Sequence, residues 1–217
     1  MTRLLDLGID RIHNIIMDMA KLSESSVLTA IESYEEGTGL KRQIFDWSEK
    51  LRTLQEEVAD LAIELIARYQ PVATDLRFIR SCMEISYGFS RFGRYAYDIV
   101  DVLETMGSIS DCDKSTVLEM AGTVREMIQL SIHSLRLRDK DAAQKLYQMD
   151  DTVDTLYRKY LREIITLKTN QDNKFTDPRC YISALLILRY LERISDHACY
   201  IGDSVHYIAT GVSSPRR

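Results

Sequence analysis

The stretch YLERISDHACYIGD, residues 190–203, sets Glu192 and Asp196 four residues apart and Asp203 seven residues after Asp196. On a helix, residues four apart share a face. Asp203 returns near that face, because eleven residues after Glu192 make about three full turns. Moving back along the chain by 102 residues brings this stretch onto GFSRFGRYAYDIVD, residues 88–101. At that one offset Asp75 meets Asp177, Arg77 meets Arg179, Ile85 meets Ile187 and Arg91 meets Arg193. Ala96, Ile99 and Asp101 meet Ala198, Ile201 and Asp203 in turn. A constant, gap-free offset of this kind marks two copies of one unit of about 100 residues.

Each copy reads as helices. Leu5, Ile9, Ile12, Ile16 and Met19 recur at three and four, as do Leu54, Val58, Leu61 and Leu65, and later Val117, Met120, Val124 and Ile128. That is the amphipathic helix period, and no strand alternation competes with it. Breaks at 36–39, 70–71, 107–108, around Asp139 and at 170–173 divide the chain into six helices, near 3–35, 40–69, 73–106, 111–137, 140–168 and 178–210. Pro71 closes the second helix, and Thr74 or Asp75 is placed to cap the third. Pro178 suits the first turn of the sixth helix behind Asp177 as N-cap. The expected fold is all-α: two tandem three-helix bundles, over residues 1–108 and 109–211, with a disordered tail at 212–217.

The composition narrows the class of function. A net charge of −5 argues against nucleic acid as the main partner. No apolar run approaches the roughly 20 residues of a membrane span, and the N-terminus carries Asp6 and Asp10 within an amphipathic pattern, unlike a signal peptide. Cys82, Cys112, Cys180 and Cys199 are scattered without a CxxC pair. Reduced thiols in a cytosolic protein are the expectation, and a zinc-thiolate site is not.

The fifth helix supplies a second acidic pair, Asp150 and Asp154, with the spacing of Glu192 and Asp196. If helices five and six pack antiparallel, the pairs face each other. Carboxylates so gathered either take up protons or bind hard cations through oxygen. Iron, manganese, magnesium and zinc all suit such donors. The plainer reading is a solvated acidic face paired with Arg158, Arg189 or Arg193. Spacing alone leaves both open.

QPVATDLR (70–77), DDTVD (150–154) and LERISDHACYIGDSVHYIATG (191–211) resemble the motifs of the PhoU family of phosphate-signalling regulators, and the order and length agree along nearly the whole chain. Ser195 stands where the family motif has Gly. The resemblance implies two bundles, each able to carry a metal cluster on paired acids. It also implies a cytoplasmic negative regulator, with no enzymatic role, that links the ATPase subunit of a phosphate ABC transporter to a sensor histidine kinase. A homodimer is expected. The ligands carried over are Asp150, Asp154, Glu192, Asp196 and Asp203. The first copy departs from the pattern: 102 residues before the four paired acids stand Ser48, Arg52, Ser90 and Arg94. Guanidinium groups repel a metal and stay charged. The cation is therefore expected in the second bundle alone, with Asp98 and Asp101 available to pair with the arginines.

The competing reading is a metal-dependent enzyme, hydrolysing phosphate esters or carrying a di-iron site. Against it, the Glu-x-x-His pattern of di-iron carboxylate enzymes is absent and no separate general base stands out. Arg77 and Arg179 read as helix-end packing residues. His197 points away from the acidic stripe, and His206 is a candidate outer ligand. Tyr87, Tyr95 and Tyr97 read as packing residues.

Overall fold

The computed structural model describes residues 3–169 and 177–214, with the side chains of 167–169 excepted. The chain forms α1 (Leu4–Glu36), α2 (Lys41–Tyr69), α3 (Ala73–Met106), α4 (Ser115–Leu137), α5 (Ala142–Thr169) and α6 (Pro178–Thr210), with no strand among the described residues. The break expected at 170–173 lies outside the described residues, as does the end of the tail at 215–217.

The helix ends follow local chemistry. Gly37 and Gly211 close α1 and α6 in the left-handed conformation, both with φ of 75°, which glycine adopts without a Cβ penalty. Asp177 caps α6 by accepting the Arg179 backbone N–H at 2.9 Å, ahead of Pro178 in the first turn. At α3, Val72 holds the cap position with no side-chain bond, so neither Thr74 nor Asp75 acts as the cap. α4 begins at Ser115, four residues later than the periodicity suggests. Asp113 takes the Ser115 N–H at 2.9 Å and Cys112 donates to the Ile109 carbonyl at 3.2 Å, so these residues form a turn instead.

α1–α3 pack on one another, and α4–α6 do the same. α3 against α6 is the most extensive contact, and α1 against α4 supplements it. The repeat is visible in the core. Ile85 and Ile187, Phe89 and Leu191, Phe92 and Ile194, Ala96 and Ala198, and Ile99 and Ile201 are all buried at repeat-related positions. α3 and α6 run antiparallel. Tyr95 stacks on Tyr190 with centroids 6.2 Å apart, and a Cβ on Gly88 would come within 2.9 Å of Ile201. The two copies thus share one continuous core. Among the described residues, no helix is long and apolar enough to cross a membrane.

The cysteines depart from expectation. Cys82 and Cys199 are free and buried, but Cys112 and Cys180 form a disulfide, with Cα atoms 5.3 Å apart. A separation of 68 residues hid the pairing. The α3–α4 connection and the first turn of α6 meet only once α4 and α5 have folded back between them.

Candidate metal centre

α5 and α6 are antiparallel along their shared face. A Cβ on Gly202 would come within 2.6 Å of Leu146 and 3.3 Å of the Ala143 Cα, so the helices approach closely at that end. Beside this contact, the Tyr147 hydroxyl donates to Asp203 at 2.7–2.8 Å. Beyond it Asp150 lies near Asp196, and Asp154 near both Asp196 and Glu192. The sequence expectation that two acidic pairs face each other across the α5–α6 groove therefore describes the structure.

The electrostatics are those of a crowded, half-buried acid cluster. The Glu192 carboxyl is pushed above the usual range, first by burial and then by Asp196, with Asp154 adding to the effect and Arg189 and Arg193 opposing it. Asp196 is pushed up by burial, then by Asp150 and Asp154, against Arg193 and Arg189. Glu192 is the least accessible of the three acids that pair with arginines: its side chain is 13% exposed, against 27% for Asp154 and 32% for Asp196. Its Oε1 pairs with Arg189 at 2.6 Å, while its Oε2 is buried, has no hydrogen-bond partner and lies 3.8 Å from Arg193 Nε. Asp154 is held by Arg158 at 2.6 Å, and Asp196 meets Arg193 at 3.5 Å. Among the described residues, no three His, Cys, Asp or Glu side chains are gathered as a metal would need.

Asp203 shares the stripe but stands apart from the four. Eleven residues at about 1.5 Å each put it roughly 16 Å along the helix from Glu192, and Tyr147 holds both of its oxygens. Tyr147, one turn before Asp150, is a site neighbour that sequence reasoning missed; facing acids alone gave no signal for it. His206 turns to the Lys140 carbonyl, 2.8 Å from its Nδ1. His197 is buried among Tyr87, Tyr95 and Tyr200, with ring centroids 5.5–5.9 Å away, and burial lowers it to about 4. It is a packing residue, as its angular position predicts. Arg179 binds its own cap residue Asp177, and Arg77 lies against Gly211 at the end of α6.

The same face in the first bundle is built differently. Ser48 is buried and its Cα lies 3.5 Å from where a Cβ on Gly93 would sit. Arg52 pairs with Glu49 at 3.2 Å and Glu56 at 2.6 Å along its own helix. Arg94 pairs with Asp98 at 3.0 Å and lies over the Tyr97 ring. Asp101 pairs with Lys41 at 2.7 Å and not with an arginine. Each of the two arginines is thus paired with acids on its own helix.

Comparison with known proteins agrees with this architecture. The PhoU domain matches the chain twice, over residues 16–103 and 117–205. The chain is 26% identical to the phosphate-specific transport system accessory protein PhoU homolog of Clostridium acetobutylicum over 97% of each. It is 30% identical to the protein of that name from Zymomonas mobilis, covering 98% of this chain and 88% of the relative. The crystal structure of PhoU from Pseudomonas aeruginosa superposes with a TM-score of 0.86 at 26% identity, over 95% of this chain and 99% of that one. The phosphate transport system regulatory protein PhoU from Streptococcus pneumoniae shares the fold, with a TM-score of 0.87 at 19% identity.

Proposed function

Because this chain belongs to the PhoU family, we propose that it is an accessory regulator of phosphate transport that works by binding and not by turnover. It is a cytoplasmic negative regulator coupling the ATPase subunit of a phosphate ABC transporter to a sensor histidine kinase, and it acts as a homodimer. The names of its relatives support the link to phosphate transport.

A metal ion is part of this proposal, held in the second bundle by Asp150, Asp154, Glu192 and Asp196. The observation that carries it is the buried Oε2 of Glu192, which makes no hydrogen bond, in a cluster whose acids raise one another's proton affinity. Buried polar atoms without partners are rare and costly, and an oxygen-rich acidic face suits a hard cation. A bound cation would neutralise the cluster and fasten α5 to α6. Arg158, Arg189 and Arg193 are all at least 38% exposed and have room to swing out as it enters. Asp203 contributes at most through Tyr147. The first bundle, with Arg52 and Arg94, takes no metal.

Elemental analysis with anomalous scattering, on protein purified without added metal, tests the site. Metal in the second bundle alone is expected, and equal occupancy of both bundles contradicts it. Deleting the gene should release phosphate-responsive transcription from repression, and unchanged transcription contradicts the regulatory role.

A further inference from the structure

Cys112 and Cys180 are both half-buried, whereas the two free cysteines are fully buried. Their disulfide closes a loop around the whole of α4 and α5, pinning the start of α6 beside the start of α4. The α5 stretch nearest this point is thinly packed. After Val153, none of its described side chains is buried, although the repeat-related half of α2 buries Val58, Ala62 and Leu65. α5 packs on α4 and α6, and from the first bundle Tyr34 of α1 lies near Tyr160 in that half. The charge of Asp113, beside Cys112, reaches Tyr160 of α5, which places the bridge next to this stretch.

We propose that the Cys112–Cys180 bridge is a reversible redox clip that keeps the C-terminal half of α5 seated on α4 and α6. A low-molecular-weight thiol is the co-reactant. Its thiolate attacks the Cys112 sulfur, forming a mixed disulfide and releasing Cys180 as the thiolate. A second thiolate attacks the mixed disulfide, releasing Cys112 and leaving the small molecule as its own disulfide. Two small thiols are oxidised as one protein disulfide is reduced, and the reverse reaction re-forms the clip. Cys180 is the better leaving group because it sits in the first turn of α6, where the helix N-terminus stabilises a thiolate. Cys112 lies between Asp111 and Asp113 and has no such help. Opening the clip frees the end of α5 that follows Asp154, so the acid face loosens from one side.

Hydrogen exchange over residues 154–166, with thiol alkylation, tests this on the full metal-stripped chain. Excess reduced glutathione should make Cys112 and Cys180 alkylatable, leave Cys82 and Cys199 unmodified, and speed exchange in that stretch by about tenfold or more. Oxidised glutathione should reverse both changes. Cys112→Ser should show the fast pattern without any thiol; if that variant misfolds, reduction of the wild-type chain decides alone. A bridge that survives excess glutathione, a pair that never forms with oxidised glutathione, or unchanged exchange after reduction overturns the proposal. Stripping the metal keeps the outcome separate from the metal reading.

Discussion

The α2–α3 face and the α5–α6 face descend from one repeat and now solve opposite electrostatic problems. In the first bundle, Arg52 and Arg94 sit where Asp154 and Asp196 sit in the second, and each is paired with acids on its own helix. In the second, four acids meet across two helices with only three partly exposed arginines against them, and Glu192 keeps a buried oxygen without a hydrogen-bond partner. The scaffold is the same, because most buried positions of α3 and α6 are repeat-related, from Ile85 and Ile187 to Ile99 and Ile201. What differs is the charge: where the second face has four acids, the first has Ser48, Arg52, Ser90 and Arg94.

The largest expected effect concerns what the bundles share. Phe89→Ala in α3 should cost about 3–5 kcal/mol and Leu191→Ala, its counterpart in α6, about 2–5 kcal/mol. Both positions belong to one core, so each variant should lower a single unfolding transition in calorimetry. Two separated transitions would show that the bundles fold apart. Next comes the bridge, which only the second bundle has. Reducing it opens a 68-residue loop, for a loss of about 4 kcal/mol from chain entropy, measurable as a lower denaturation midpoint.

Giving the first bundle the second one's acids tests the contrast between the two faces. Ser48→Asp, Arg52→Asp, Ser90→Glu and Arg94→Asp together should create a second manganese site by titration calorimetry and destabilise the metal-free protein. Failure to gain binding would show that the groove geometry, with Ser48 tight against Gly93, and not charge alone, separates the copies.

Acidity gives a subtler contrast. Glu192 and Asp196 hold their protons more tightly folded than unfolded, where their values are about 4.5 and 3.8. The folded state therefore binds more protons, and stability falls as pH rises through the range from those values up to the raised ones. The metal-free melting temperature should drop on raising pH through that range, and Glu192→Gln should flatten the drop. A rise with pH there would contradict the crowding. Smallest of all is Arg94→Ala. It removes an ion pair whose arginine is 56% exposed, so denaturant midpoints should move by no more than about 1 kcal/mol.

Much of this was legible in the sequence. α3 runs between the residues that Pro71 and Gly107 suggest, the 102-residue offset anticipated the doubled bundle, and the four-residue spacing on α5 and α6 anticipated the facing acid pairs. Other features were invisible for physical reasons. Asp203 is a partial exception: its eleven-residue spacing already puts it about three turns from Glu192, but nothing in the sequence marked Tyr147 as the residue that holds it. The turn at Asp113 consumed the first four residues assigned to α4. The Cys112–Cys180 pairing depends on tertiary closure over two helices, and no local spacing encodes it.

On the proposed function, one copy of the repeat binds a cation and the other does not. Manganese titration of the metal-stripped chain tests it most directly. Saturable binding by the wild type, abolished by Glu192→Gln and untouched by Arg94→Ala, is the predicted result. Equal binding by wild type and Glu192→Gln, or no binding by the wild type, would contradict it.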